Sequence, residues 1–310
     1  MGWLHVIEPG FLTTVQDLGR FGYAHIGIST GGAADPFSLR VGNRLVGNRD
    51  AAPALEMTLL GGRFRFEQET VFALTGADFG ALVDGEAVTP WMAARAKDGA
   101  ELALGRARGG ARAYLCMAGG VEADEFLGSA STDLRSGFGG IEGRRLRRGD
   151  RLRLGEAARQ PLRVDARPLR HYVGGARLRV TRGPQACVFA PDTLQRLFET
   201  TYTVRDDSDR HGLRLSGEPV PALREQLLTE GVSLGAVQVP PDGQPIILLV
   251  DQQTTGGYPK PVNVILADLP RAGQLAPRGK VSLVEVDIAT AHAALREQEE
   301  RLRAVLGGRA

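Results

Sequence analysis

Short apolar runs alternate with clusters of Gly, Pro and Asp almost from end to end of the chain. The runs "WLHVIEP", "RFRFEQ", "TVFALTG", "ALVDG", "AELALG", "RAYLCMAGG", "DRLRLG", "ARLRVTRG", "YTVRD", "GAVQVP", "PIILLV", "VNVILAD" and "KVSLVEVD" have the length and content of strands. Few stretches between them could serve as helical crossovers, so the pattern predicts a mainly β chain, a sandwich or barrel.

Helical patterns are few. In "DPFSLRVGNRLVG", Asp35 takes the N-cap position and Pro36 the first helical position, and Phe37, Arg40, Val41, Leu45 and Val46 form one face. "PDTLQRLFE" places Leu194, Leu197 and Phe198 on one side, and "ATAHAALREQEERLRAVL" predicts a longer C-terminal helix from its Ala, Glu, Arg and Leu content. The stretch 155–175, with two prolines and four arginines, interrupts the strand pattern and predicts a boundary between subdomains 1–165 and 166–310. Each half opens with a short strand and a Pro-Gly or Gly-Pro pair ("VIEPG", "VTRGP"), a loose likeness that leaves an internal duplication open.

Composition adds limits rather than chemistry. With 310 residues, 43% hydrophobic and 24% charged, the chain can bury the cores of two domains, and its 41 glycines and 17 prolines fit many turns. A formal net charge of +2 gives no drive toward nucleic acid or an acidic membrane. Two cysteines in unrelated contexts argue against a disulfide framework or a Cys-based zinc site, and predict a reducing cytoplasm. "MGWLHVIEPG" lacks the features of a signal peptide, and no run approaches the roughly 18 apolar residues of a spanning helix.

Several motifs reduce to structural readings. "GISTGG" satisfies G-x-S-x-G, but that elbow requires a helix starting at the serine, and "TGGAADP" intervenes. "GQLAPRGKVS" misses the phosphate-loop spacing by one residue and has Val281 where a hydroxyl should be, so Lys280 reads as a strand start. The five histidines show no metal-ligand spacing, and no metal site is expected. The six arginines of "EGRRLRRGDRLRLG" alternate with Leu146, Leu152 and Leu154, which predicts a hairpin with one buried face rather than a nucleic-acid patch.

Three loops carry more hydrogen-bonding groups than a turn needs. "DQQTTGGYPK", 251–260, follows the apolar "PIILLV" directly, "TTVQDLGRFG", 13–22, is similar in kind, and "DDSDRHGLRL", 206–215, offers Arg210 as a fork for a carboxylate or phosphate. The glycines in the first two would let backbone N–H groups approach a ligand, so the loops are expected to share a cleft, with hairpin tips or a charged turn as the structural alternatives.

"PGFLTTVQDLGRFGYAHIGISTGGAADPFSLRVGNRLVGN", "GSASTDLRSGFGGIEGRRLRRGD", "SDRHGLRLSG" and "GAVQVPPDGQPIILLVDQQTTGGYPK" stand in an order that resembles the allophanate hydrolase subunit 2 family, over residues 6 to about 286. That family includes KipA-like components of bacterial 5-oxoprolinase and part of the carboxyltransferase region of urea carboxylases. The chain departs from the resemblance at His211, where relatives commonly carry methionine, and at Asn263, where a smaller residue is expected.

The resemblance implies a cyclophilin-like β-barrel architecture of two related β-rich subdomains. It also implies partners: a B-type subunit, which is KipI-like and of the allophanate hydrolase subunit 1 type, and a lactam-utilisation-like A-type subunit. Together these open 5-oxo-L-proline to L-glutamate with ATP and Mg as co-substrates of the complex, and with no covalently bound cofactor. The alternatives are a carboxyltransferase that draws on carboxybiotin and a regulatory protein that binds a KipI-like kinase inhibitor. A free-standing chain without a biotin-attachment lysine in an A/V-M-K-M context favours the first. On this reading Gln252, Gln253, Thr254 and Thr255 line the ligand cleft and Tyr258 covers it. Arg210 or Arg20 pairs with a carboxylate or phosphate, and Asp17, Asp35 or Asp209 orients partners or magnesium. The resemblance leaves the catalytic residues unassigned.

Overall fold

Strand formation follows the alternation closely in the computed structural model, which describes residues 2–224 and 227–307. The chain divides into two compact units, one of Met1–Arg20, Gly31–Gly174 and Glu300–Ala310, the other of Phe21–Thr30 and Gly175–Glu299. The sequence pattern places the boundary at 165/166. Ala166, Leu169, Tyr172 and Val173 are instead buried with the core of the first unit, so the division falls after Gly174.

The first unit holds β1 (Gly2–Glu8), β2 (Leu12–Gln16), α1 (Pro36–Leu45), β3 (Ala54–Thr58), β4 (Arg63–Phe66) and β5 (Thr70–Asp78). The short strands β6 (Leu82–Val83), β7 (Glu86–Ala87), β8 (Ala93–Ala96) and β9 (Glu101–Ala103) follow, then β10 (Arg108–Met117) and β11 (Arg151–Leu154). They form two sheets, ordered β11-β1-β4-β9-β6-β7 and β2-β3-β10-β5-β8. Leu4, Phe64, Phe66, Leu102 and Leu152 from the first sheet share one core with Val15, Leu55, Met57, Phe72 and Leu115 from the second.

Strand β10 explains the unbroken apolar run "RAYLCM". Its Ala113, Leu115 and Met117 face that shared core, while Tyr114 and Cys116 join the cluster around Val41 and Leu45 of α1. A strand covered on both faces needs apolar residues at every position. Helix α1 begins as its sequence predicts: Asp35 accepts a hydrogen bond from the Ser38 N–H at 2.9 Å, and Pro36 follows the cap. A Cβ at Gly42 would lie 2.6 Å from Cys116 Sγ and 2.9 Å from Thr75 Oγ1, so the glycine sets how closely the helix lies on the sheet.

The arginine-rich stretch corrects one expectation. Only Arg151–Leu154 is a strand, and it pairs with β1 rather than with residues 142–148. The preceding residues turn because Gly143 adopts a φ of 61°, and Asp150 gathers the Arg144 guanidinium (2.8 Å) and the Arg147 N–H (2.8 Å). Local ion pairing thus takes the place of a second strand. Leu146 is still buried, as the alternation requires.

The second unit is built from β12 (Arg177–Arg182), α2 (Pro191–Glu199), β13 (Tyr202–Val204), β14 (Gly212–Ser216), β15 (Glu230–Gly231), β16 (Ala236–Gln238) and β17 (Ile246–Leu248). It continues with β18 (Thr255–Gly256), β19 (Val262–Val264), α3 (Leu269–Gly273), β20 (Lys280–Glu285) and α4 (Ile288–Leu306), whose last residues from Glu300 belong to the first unit. Seven strands close a barrel in the order β12-β19-β16-β17-β14-β13-β20. The closing pair, β12 with β20, is parallel and sets Arg177 opposite Ser282. Closure leaves no open edge, and Leu178, Val180, Leu213, Leu215, Val237, Ile247, Val262, Val281 and Leu283 fill the interior. Strands β15 and β18 form a separate two-stranded ribbon. No helix among the described residues is long and apolar enough to cross a membrane.

Candidate functional site

In the second unit the candidate site grows out of the end of β17, where the barrel's apolar run gives way to Asp251. Its carboxylate takes the Arg210 guanidinium in a two-pronged contact, Nε at 2.8 Å and Nη2 at 3.1 Å, and both side chains are nearly buried. The Arg210 carbonyl in turn accepts the Asp251 N–H at 3.0 Å. The fork expected to meet a ligand therefore holds the loop that carries the amides. Such bidentate, charge-assisted pairs are the strong ones among hydrogen bonds.

Asp209 performs a local task beside it. Its Oδ1 accepts the N–H groups of His211 (2.8 Å) and Gly212 (3.3 Å), and its Oδ2 lies 3.3 Å from His211 Nδ1. Burial pushes this carboxyl up, but the His211 side chain and these backbone donors together outweigh it and hold it at about 2. The arrangement is the Asx-type turn that lets an aspartate shape a loop.

The amides that follow have nearer neighbours. Gln252 donates through Nε2 to the Val232 carbonyl at 3.2 Å, and the Thr254 carbonyl accepts the Val232 N–H at 3.0 Å. Gln253 donates to Oε1 of Gln238 at 3.0 Å. Thr255 and Gly256 form β18 and pair with Glu230 and Gly231, while the Tyr258 side chain stays partly exposed. Within this amide cluster Gln252 Oε1, an acceptor, and Gln238 Nε2, a donor, are buried without a partner among the described residues. Burying an amide N–H or C=O without a partner is costly, so such groups point to a bound water or ligand.

Sequence pattern does not single out Gln238, Lys260, Glu230 or Gln185. Lys260 is buried, with Nζ 3.0 Å from the Glu230 carboxylate and donating to the Tyr258 carbonyl at 3.3 Å. Its N–H donates to Gln185 Oε1 at 3.2 Å, and Gln185 Nε2 donates to Glu230. The Lys260 ammonium, with Gln185, holds the Glu230 carboxyl below its usual range. A Cβ at Gly256 would stand 2.6 Å from Gln238 Nε2, so a side chain there would push that amide from its place. Two signals in the chain point this way: a glutamine inside the strand run "GAVQVP" and a lysine closing the polar loop.

In the first unit the remaining expected residues are held by their own neighbours. Asp17 accepts from Ser129 Oγ (2.7 Å), Ser131 Oγ (2.5 Å), the Ala130 N–H (2.8 Å) and the Gly19 N–H (2.7 Å). Arg20 is buried, donates to the carbonyls of Phe126 (3.3 Å) and Ser131, and lies 4.7 Å over the Phe138 ring. Beside them Gln16 is fully buried, with Nε2 on the Thr132 carbonyl at 3.2 Å and Oε1 without a partner among the described residues.

Asp35, besides capping α1, accepts from Ser38 Oγ at 2.5 Å, and its N–H donates to the Tyr114 hydroxyl at 2.8 Å. That hydroxyl donates to Glu56 at 2.7 Å, and burial together with the Glu56 and Asp35 charges pushes Tyr114 well above its ordinary range. Glu56 also accepts the Ala34 N–H at 2.9 Å and faces Arg112 at 3.5 Å. No group of three or more His, Cys, Asp or Glu among the described residues is arranged to hold a metal ion.

Comparison with known proteins adds identity to this geometry. The carboxyltransferase domain family, subdomains A and B, matches residues 26–285. The chain is 39% identical to the 5-oxoprolinase C subunit of Escherichia coli strain K12 over 297 residues, covering 96% of this chain and 95% of that one. It is 38% identical to the 5-oxoprolinase C subunit of Haemophilus influenzae, with 96% of this chain and 95% of the relative covered. Among solved structures, the K. lactis urea amidolyase superposes with a TM-score of 0.91 at 29% identity, over 98% of this chain and 20% of that one.

Proposed function

The chain belongs to the carboxyltransferase domain family, subdomains A and B, and from that premise we propose that it is the C-type subunit of an ATP-dependent 5-oxoprolinase. On this proposal it acts in the cytoplasm with its A-type and B-type partners to open 5-oxo-L-proline to L-glutamate. The observation that carries the reading is the nearly end-to-end match, at 39% identity, to a 5-oxoprolinase C subunit. A resemblance confined to one segment of a much longer enzyme would favour another role.

The chemistry of the second unit supports the substrate class. A lactam presents one N–H donor and one C=O acceptor, and its carboxylate adds a negative charge. Gln252 Oε1 offers an unused acceptor and Gln238 Nε2 an unused donor, and Lys260, ion-paired with Glu230, ends the same polar loop. Gln252, Gln253, Thr254 and Thr255 frame the binding position in this proposal, and Tyr258 covers it. Opening the ring needs donors aimed at the oxygen where charge develops. Amide N–H groups and an ammonium supply such donors, whereas a general base is not assigned to this chain. Arg210 and Asp209 keep their proposed link to the ligand through the loop they brace, and for Arg20, Asp17 and Asp35 the proposal keeps only the bracing of loops in the first unit. ATP and magnesium enter as co-substrates of the complex.

A second reading rests on the urea amidolyase likeness: transfer of a carboxyl group from carboxybiotin to a small amide. The same amide-complementary groups would serve it. The two separate when the chain is assembled with its A-type and B-type partners and assayed for ATP-dependent glutamate release. Gln238→Leu and Gln253→Ala are expected to lower kcat/KM for 5-oxoproline about tenfold or more, by the loss of one or two buried hydrogen bonds. Unchanged turnover in both variants would remove these amides from the site, and carboxyl transfer without glutamate release would select the second reading.

A further inference from the structure

Each of the two sheets of the first unit has one edge covered by the chain's own backbone. Beside β2, Thr132 and Leu146 donate their N–H groups to the carbonyls of Val15 (3.0 Å) and Thr13 (2.9 Å). Beside β11, the Glu122 N–H reaches the Arg153 carbonyl at 2.9 Å, and Val121 bridges Leu154. The opposite edges, β7 and β8, have no such cover among the described residues. Strand β7 is only two residues long, whereas β8 offers four. An uncovered edge strand is a template for pairing with another chain.

The pairing fixes which groups of β8 point outward. Ala118 donates its N–H to the Val71 carbonyl at 2.8 Å, which turns the odd-numbered residues of β5 toward β10. Thr70 and Phe72 therefore bond to their partners Ala96 and Ala94 in β8. The N–H and C=O groups of Ala93 and Arg95 point away from the sheet, and none of the four has a partner among the described residues. The strand holds no proline and no register shift, and three of its four residues are alanines, which let a second backbone come close.

A hollow lies beside each face of this edge. Ala94 shares the face of Phe72, where a groove of about 490 Å³ opens between the two bare edges, lined by Phe72, Val83, Glu86, Val88 and Met92 among others. Ala93 and Arg95 share the face of Val71, beside a hollow of about 420 Å³ that Val71, Pro161 and Leu162 help to line. A strand added to β8 sends successive side chains toward these two hollows in turn.

Charge selects what those side chains are. On the Val71 face Arg95 meets Glu69 at 2.9 Å, with the two side chains 64% and 65% exposed. An ion pair so exposed contributes little, so a carboxylate brought against Arg95 can replace it. Lys97, just past the strand, has no carboxylate partner among the described residues. On the Phe72 face the acids Asp84 and Glu86 line the far side of the groove, together with apolar Val83 and Val88. Acidic side chains therefore belong opposite Arg95, and apolar ones opposite Ala94.

We propose that the outer edge of β8 is a docking site for an extended segment of a partner protein. The segment adds as an antiparallel strand, with acidic residues opposite Ala93 and Arg95 and an apolar residue opposite Ala94. The site is independent of the proposed reaction, since no residue of β8 or its two hollows belongs to the amide cluster.

Fluorescence anisotropy of the full chain with the labelled peptide Thr-Glu-Leu-Glu-Leu-Glu-Thr tests the proposal. Saturable binding is expected, with a dissociation constant below about 100 μM. The lysine counterpart, Thr-Lys-Leu-Lys-Leu-Lys-Thr, is expected to bind at least about tenfold more weakly, and Arg95→Glu to reverse that preference. N-methylation of the glutamate amides, whose N–H groups meet the Ala93 and Arg95 carbonyls, is expected to weaken binding at least about tenfold. N-methylation of the leucine amides, which point away from β8, is expected to change it less than about threefold. Ala93→Pro removes one outward N–H but no bond to β5, and is expected to weaken the peptide about fivefold with an unchanged circular dichroism spectrum. Absence of saturable binding, equal affinity for the lysine peptide, or equal losses from the two N-methylated peptides would overturn the assignment. In sedimentation of the chain alone, a dimer that Ala93→Pro abolishes would also overturn it, giving the edge to a second copy.

Discussion

Asp209 shows how a single carboxylate shapes its loop. Its folded value of about 2 lies below the unfolded value near 3.9. A depressed carboxylate contributes stability that is fully present above the unfolded value and is lost as pH falls toward the folded one. Asp209→Asn is therefore expected to lower the urea midpoint at pH 7, with the difference from the parent shrinking as pH drops from about 4 to about 2. A constant difference across that range would show that charge plays no part. The Arg210–Asp251 pair lies deeper, with side-chain exposures of 6% and 10%. Arg210→Ala leaves the carboxylate buried and unmatched, and is expected to destabilise the fold by about 3–5 kcal/mol in chemical unfolding. A loss below about 1 kcal/mol would place the pair among weak surface bridges.

Sequence chemistry marks these residues correctly as polar loop groups, but pairing decides what each one touches. Arg210 as a fork is legible; that Asp251, 41 positions away, fills it is not. Gln238 escapes a sequence reading because a strand's sequence does not say which neighbour faces each of its side chains. Lys260 ends the polar loop that stands out most in the chain, yet its burial follows from Glu230 and Gln185, which arrive from distant turns.

At the scale of elements, local signals carry furthest. Helix α1 starts where Asp35 and Pro36 place it, because a cap and a fixed φ act within one turn of the chain. The hairpin expected in 142–155 fails for the same reason in reverse: glycine at positive φ and the Arg144–Asp150 pair outcompete alternation. Gly42 marks where helix and sheet meet. Gly42→Ala would gain helix propensity but place a methyl group 2.6 Å from Cys116 Sγ. Overpacking of this kind costs about 1–3 kcal/mol, so a net loss of thermal stability is expected. A rise in Tm would show that the helix can shift outward at no cost.

For the whole molecule, the mainly β class is legible from strand spacing and turn residues and the barrel from the family resemblance, whereas the order in which the seven strands close it is not. Its parallel seam joins Arg177 to Ser282, a contact that no local pattern encodes. The ordered motifs that resemble the allophanate hydrolase subunit 2 family span most of the chain, and the carboxyltransferase domain match over 26–285 bears that family reading out. Function is proposed at this scale, because the reading rests on a likeness that runs along nearly the whole chain rather than on one residue. The most direct test is to measure glutamate release from 5-oxo-L-proline with ATP, using the A-type and B-type partners with and without this chain. The proposal predicts glutamate release only when all three are present. Equal turnover without this chain, or none with it, would contradict the proposal.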